Sequence, residues 1–187
     1  MVRPWVPDSA QVLDIGCHQG EFLRSLGSRI GSSVGLDPLA RPESRSRYKL
    51  LSEPFSAPCP FPDASFDVVV MLATLEHIPD KAPLARECYR LLRPAGRVVV
   101  TVPSPHVDYI IALLCRLRLA DGMSLEEHHG FEPRQSLRLF AEHGFTLERW
   151  RPFQLGLNHL FVFKKPTRTP PGVAGARQSP EPIPARP

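Results

Sequence analysis

Cysteine is scarce in this chain, and what there is does not cluster. Cys17, Cys59, Cys88 and Cys115 are far apart and make no C-x-x-C pair, which leaves neither a disulfide framework nor a metal-ligand spacing to build on. Reduced thiols, together with the lack of an apolar signal segment at the N-terminus, imply a cytoplasmic protein. Long hydrophobic runs are missing too: the longest apolar stretch, Tyr109 to Cys115, is far too short to cross a bilayer. No extended Lys/Arg run occurs, the net charge is only +4, and several arginines lie near the C-terminus, so no nucleic-acid partner is expected. Two phosphate-binding signatures are absent as well. The chain has no G-x-G-x-x-G, which argues against a nicotinamide oxidoreductase, and no G-x-x-x-x-G-K-[ST].

What is there suffices for one domain: 42% of the 187 residues are hydrophobic, enough for a sizeable core. The most informative stretch runs from Val12 to Gly20. Val12, Leu13 and Ile15 suit a strand buried on both faces, and Gly16 and Gly20 then release the chain into a sharp bend before a helix with Phe22, Leu23 and Leu26 on one face. Such a turn leaves backbone N–H groups at the helix start, where an anionic part of a ligand is attracted. Ser33 to Asp37 reads as a second strand ending in a carboxylate, 23 positions after Asp14. A carboxylate there accepts hydrogen bonds from both hydroxyls of a ribose, or else caps the next helix before Pro38.

The rest of the chain alternates strands and helices. Arg41 to Arg47 is polar and basic and reads as a short, poorly packed helix; Tyr48 to Leu51 reads as a third strand. A Pro/Asp turn feeds the apolar run Phe66 to Leu72, a central strand, followed by a helix to Leu92 that Arg93 to Gly96 stops. Arg97 to Val102 is a further strand. Tyr109 to Leu119 has a broad apolar face and reads as a helix, either a lid or one packed on the sheet. A helix from Pro133 to His143 and strands at Thr146 to Phe153 and Leu157 to Phe163 complete the domain, which ends at residue 165. Residues 166–187 hold seven prolines and no apolar periodicity and read as a disordered tail.

The hydrophobic-Asp-hydrophobic-Gly-Cys opening of the first stretch, closed by Gly20, resembles the first motif of the class I S-adenosylmethionine-dependent methyltransferases. The order F-D-V-V-V, L-E-H-I-P-D, L-L-R-P-x-G and then a Val-rich strand is similar to the methyltransferase type 11 branch of that class. The resemblance implies an α/β, Rossmann-like, doubly wound fold: a mostly parallel seven-stranded sheet with helices on both faces and the cofactor across the strand ends. It implies S-adenosylmethionine as cofactor and direct in-line transfer of its methyl group to a small-molecule acceptor, whether metabolite, sugar or lipid intermediate. Asp14 would orient the ammonium end of the cofactor, the turn of Gly16, Cys17, His18 and Gly20 its carboxylate, and Asp37 its ribose. Leu72, at the tip of the central strand, joins the same set.

Some positions depart from the pattern. His18 stands at the middle glycine position, the lead-in Met1 to Ala10 leaves scarcely room for an N-terminal cover, and no acid follows the third strand to hold an adenine amino group. Ser52, Glu53 and Ser56 are the remaining candidates for that contact. These departures keep a second reading open, an inactive methyltransferase-like partner subunit. Among the histidines, His77 is the candidate catalytic residue, as a general base or as a pocket-shaping side chain, because an imidazole near neutrality can take a proton from an attacking hydroxyl. His106, His128 and His129 are weaker candidates. No metal is expected, since a Glu that similar quinone O-methyltransferases place two residues before the Leu of L-E-H is Ala73 here.

Overall fold

The computed structural model describes residues 1–104 and 132–167. Eight strands form one sheet: β1 (Val12–Ile15), β2 (Ser33–Leu36), β3 (Glu43–Ser44), β4 (Tyr48–Leu51), β5 (Phe66–Leu72), β6 (Leu92–Pro103), β7 (Thr146–Phe153) and β8 (Asn158–Lys164). Their order is β3-β4-β2-β1-β5-β6-β8-β7. The central run from β4 to β6 is parallel, while β3 against β4 and β8 against both β6 and β7 are antiparallel. The α-helices among the described residues are α1 (Glu21–Leu26), α2 (Lys81–Leu91) and α3 (Gln135–Glu142). None is long and apolar enough to cross a membrane.

Alternation along the strands explains why both faces are covered. Leu13, Val69, Met71, Val98, Val100, Phe161 and Phe163 point to one core, shared with Leu84 and Leu91 of α2 and Phe140 of α3. Val12, Val68, Val70, Val99, Leu160 and Val162 point to the other, shared with Leu23 and Leu26 of α1. A continuous apolar run such as Val68–Val69–Val70 therefore serves two layers at once, which is the signature of a doubly wound sheet. Val2, Val6 and Ala10 are buried in the α1-side core, so the N-terminal lead-in packs on the domain.

Two expectations need correction. Arg41 to Arg47 is not a helix, and among the described residues the sheet has eight strands and not seven, because Glu43 and Ser44 pair with Leu50 and Lys49. The pairing with β4 and the Glu43 carboxylate, which bridges Arg24 and Arg45, hold the segment extended at the sheet edge. The segment Tyr109 to Leu119, the residues Cys115, His106, His128 and His129, and the tail from residue 168 lie outside the described residues.

Candidate active site

Parallel strands ending side by side leave a crevice beyond their C-terminal tips, where the connections diverge to opposite faces of the sheet. Here a cavity of about 500 Å³ lies over the tips of β1, β2 and β5. Of the residues picked from the sequence, Gly16, His18, Asp37, Leu72 and His77 line it. Backbone strain concentrates at the same rim. Gly16, His18 and Ala73 all have positive φ, at 76°, 47° and 51°. For the two residues with a Cβ such a conformation persists only because the surroundings fix it. Ala73 is fixed by its N–H, which donates to the Thr101 carbonyl (3.0 Å) and to Thr101 Oγ1 (3.1 Å). A Cβ built on Gly16 would lie 2.2 Å from Thr74 Oγ1, so the turn and the loop after β5 meet at a point where only glycine fits.

The N–H groups of the turn are engaged, which corrects the expectation that they stand open. Gly16 and Cys17 donate to the Leu36 carbonyl, His18 to Asp37 Oδ2 at 2.8 Å, Gln19 to Glu21 Oε2 at 3.2 Å and Gly20 to the Cys17 carbonyl. Two carboxylates, those of Asp37 and Glu21, have folded onto the turn and accept its His18 and Gln19 N–H groups. The result is an acidic corner. Asp14 is buried beneath it, and its Oδ2 has no hydrogen-bond partner among the described residues. Burial first, then the charges of Asp37 and Glu21, push the Asp14 carboxyl up to about 7. Such a corner suits a cationic group: a positive charge would meet a buried carboxylate that nothing else neutralises.

Asp37 does two jobs visible in its contacts. Oδ2 accepts from the His18 N–H, and Oδ1 accepts from Leu39 N–H at 2.8 Å, so the carboxylate ties the two strand-end turns together. No helix follows it, so the alternative of a helix cap does not apply. Each oxygen accepts one hydrogen bond and keeps a free lone pair.

Cys17 and Gly20 do not line the cavity. The Cys17 side chain packs in the α1-side core, and burial ahead of the charges of Asp14 and Asp37 pushes its thiol up to about 12. That thiol stays protonated and is no nucleophile. Gly20 starts α1 against Leu50, whose Cδ1 would lie 2.7 Å from an added Cβ. Its glycine is a packing requirement.

None of Ser52, Glu53 and Ser56 lines the cavity; Pro54 and Phe55, between them, do. Ser52 Oγ instead donates to the Pro38 carbonyl at 3.2 Å. Leu39, which is 72% exposed, joins Phe55 to make an apolar wall at the Asp37 end. Phe55 reaches the site because Arg90 of α2 holds the loop that carries it. Its guanidinium donates to the Cys59 and Phe61 carbonyls and to Asp63, and the Glu87 carboxylate both pairs with Arg90 and accepts the Cys59 N–H at 2.7 Å.

His77 sits on the short 3-10 turn Leu75–His77 with its side chain exposed at the opposite rim, next to Ile78 and Pro79. The cavity is thus asymmetric: acidic at β1 and β2, apolar around Phe55 and Leu39, and open to an imidazole beyond β5.

Comparison with known proteins places this geometry in a family. A profile described as a methyltransferase domain matches residues 2–149. A probable S-adenosylmethionine-dependent methyltransferase of Mycolicibacterium smegmatis is 33% identical over 150 residues, covering 73% of this chain and 56% of that protein. A ubiquinone biosynthesis O-methyltransferase of Pseudomonas aeruginosa is 30% identical over 139 residues, covering 60% of this chain and 59% of its own. The chain therefore spans somewhat over half the length of these curated relatives. Among solved structures, a methyltransferase of Methanosarcina mazei shares the fold with a TM-score of 0.65 at 18% identity, over 89% of this chain and 97% of the other.

Proposed function

Since the chain belongs to the methyltransferase family, we propose that it transfers a methyl group from S-adenosylmethionine to a small-molecule acceptor by direct in-line displacement. The observation that carries this reading is the acidic corner under the strand tips: a buried Asp14 oxygen without a partner, beside Asp37 and Glu21. The cofactor is a cation through both its ammonium and its sulfonium groups, and when bound it supplies an electrophilic methyl that needs no covalent enzyme intermediate. The names of the relatives, which specify S-adenosylmethionine in one case and O-methyl transfer in another, support the same donor.

The residues present fit that group. Asp14 takes the ammonium end, Asp37 the ribose hydroxyls, and Phe55, Leu39 and Leu72 the adenine and its surroundings. A ligand carboxylate reaches the turn only if Glu21 gives up the Gln19 N–H. His77, across the cavity from the acidic corner, accepts the proton of an acceptor hydroxyl as its oxygen attacks. Positioning supplies most of the rate: well-oriented reactants can gain on the order of 7–11 kcal/mol.

Calorimetric titration with S-adenosylmethionine, with NADH as control, tests donor binding; ligand mass spectrometry on the purified protein then looks for the acceptor. Binding of NADH in place of S-adenosylmethionine would overturn the reading. Binding without turnover on any acceptor would favour the inactive partner subunit.

A further inference from the structure

The rim beyond β5 is held from a residue of β6 that does not itself reach the cavity. β6 runs Val98, Val99, Val100, Thr101, Val102, so one hydroxyl stands in a row of valines of the same shape. Thr101 is 8% exposed and is not among the residues that line the cavity. A buried hydroxyl costs stability unless it is hydrogen-bonded, and a valine would suit the strand as well. Its partner is the Ala73 N–H, which donates to Thr101 Oγ1 at 3.1 Å and to the Thr101 carbonyl at 3.0 Å. Every residue at position 101 brings the carbonyl. The hydroxyl is what this sequence adds.

What the hydroxyl holds is a strained turn. Leu72, the last residue of β5, pairs with Thr101, and Ala73 then takes φ 51°, which ends the strand and sends the chain towards β1. Thr74 arrives so close to Gly16 that a Cβ added there would overlap the Thr74 side chain. Thr74 Oγ1 donates back to the Leu72 carbonyl at 3.2 Å, and the Thr74 carbonyl accepts the His77 N–H at 3.0 Å. Gly16, Ala73, Thr74 and His77 all line the cavity. An extended Ala73 would carry Thr74 off Gly16, open the wall between β1 and β5 and move the turn that bears His77. Strain at Ala73 favours that opening, and the Thr101 hydroxyl opposes it.

We infer that Thr101 is a positioning residue of the cofactor site. Its hydroxyl keeps Ala73 in the left-handed conformation and, through Thr74, fixes the wall that S-adenosylmethionine meets; the identity of that ligand rests on the methyl-transfer reading. If Thr101 served only to stabilise the strand ends, its loss would lower the melting temperature and leave binding by the folded chain unchanged.

Two measurements on the full chain test this: calorimetric titration of S-adenosylmethionine, and amide hydrogen exchange of residues 72–77 without ligand, each beside the melting temperature. Thr101→Val keeps the shape and loses the acceptor. A neutral hydrogen bond is worth a factor of about five, so affinity should fall about fivefold and exchange of the segment should quicken by about as much. Thr101→Ser keeps the hydroxyl and should stay within about twofold of the parent in both. Glycine takes a positive φ without strain, so Ala73→Gly added to Thr101→Val should return the affinity to within about twofold of the parent. Should Thr101→Val fail to fold, Thr101→Ala is read in its place with the same expectations. The inference is overturned if the folded Thr101→Val chain binds and exchanges as the parent does, if Thr101→Ser is as weak as Thr101→Val, or if Ala73→Gly restores nothing. Failure of the parent to bind S-adenosylmethionine strikes the methyl-transfer reading instead. The exchange arm then decides alone, and equal rates in the parent and Thr101→Val overturn the role of the hydroxyl.

Discussion

The two sides of the sheet solve different problems with different chemistry. At β1, β2 and β5 the strands are buried on both faces, and their tips concentrate carboxylates, positive φ and close backbone contact. At β7, all but the last residue is exposed, and the side chains that meet across β7 and β8 are the aromatic rings of Trp150 and Phe161 and the imidazole of His159. The edge itself is guarded. A bulge between Leu147 and Arg149, the charges of Glu148, Arg149 and Arg151, and Pro152 discourage another strand from pairing there.

The comparison breaks first at His77, which faces the cavity from beyond β5. If it takes the acceptor proton, His77→Ala lowers turnover about 10²–10⁴-fold while leaving S-adenosylmethionine affinity near that of the parent. A loss below tenfold with normal binding reduces it to a residue that shapes the pocket.

Asp14 gives the next largest effect. Its carboxyl, pushed from the usual 3.8 to about 7, keeps its proton in the folded chain long after the unfolded chain has lost it. That group's contribution to stability is full below about pH 3.8 and is lost as pH rises through about 7. Binding a cation requires the charged form, so affinity for S-adenosylmethionine should rise from pH 6 to pH 8 and a proton should be released. Calorimetry in buffers of different ionisation enthalpy reads that proton; Asp14→Asn should abolish both the release and the pH dependence. A pH-independent affinity in the parent would show that Asp14 does not meet the cation.

Smaller effects sharpen the contrast. His18 holds φ at 47°, a conformation that glycine adopts without strain, and among the described residues its side chain pairs with Glu21, both exposed. His18→Gly should therefore leave cofactor affinity within about threefold or tighten it. A tenfold loss would mean that the turn recognises its ligand through the imidazole. Smallest of all, deleting residues 168–187 should leave the melting temperature within a few degrees, because Lys165, before the cut, keeps its hydrogen bonds to the Tyr89 and Leu92 carbonyls. A larger fall would place the domain end further along.

Much of this was legible in the chain because it depends on short stretches. The runs Val12 to Ile15 and Phe66 to Leu72 carry their burial in their composition, and Asp37 could be placed at a strand tip by its distance from Asp14. What was not legible depends on contacts between distant residues. Phe55 comes to the cavity through Arg90 and Glu87, some 30 positions away, and no local pattern announces it. The filling of the turn's N–H groups depends on how the Asp37 and Glu21 side chains fold back. Thr74 could have been noticed only by knowing that its side chain meets Gly16. On the outer strands, Leu147 and Trp150 are three apart and would face opposite ways in a regular strand. The bulge between them puts both on the aromatic face, opposite Phe163 and Phe161.

The central claim is that the crevice at the tips of β1 and β2 holds S-adenosylmethionine through Asp37. Calorimetric titration of S-adenosylmethionine into Asp37→Ala tests it most directly, with the melting temperature as a check on folding. Hydrogen bonds to a charged group contribute roughly 1.5–3 kcal/mol each, so losing the acceptor of the ribose hydroxyls should weaken binding at least tenfold. If the folded Asp37→Ala chain binds S-adenosylmethionine as the parent does, the ribose does not lie at Asp37 and the assignment of the cofactor to this crevice is contradicted.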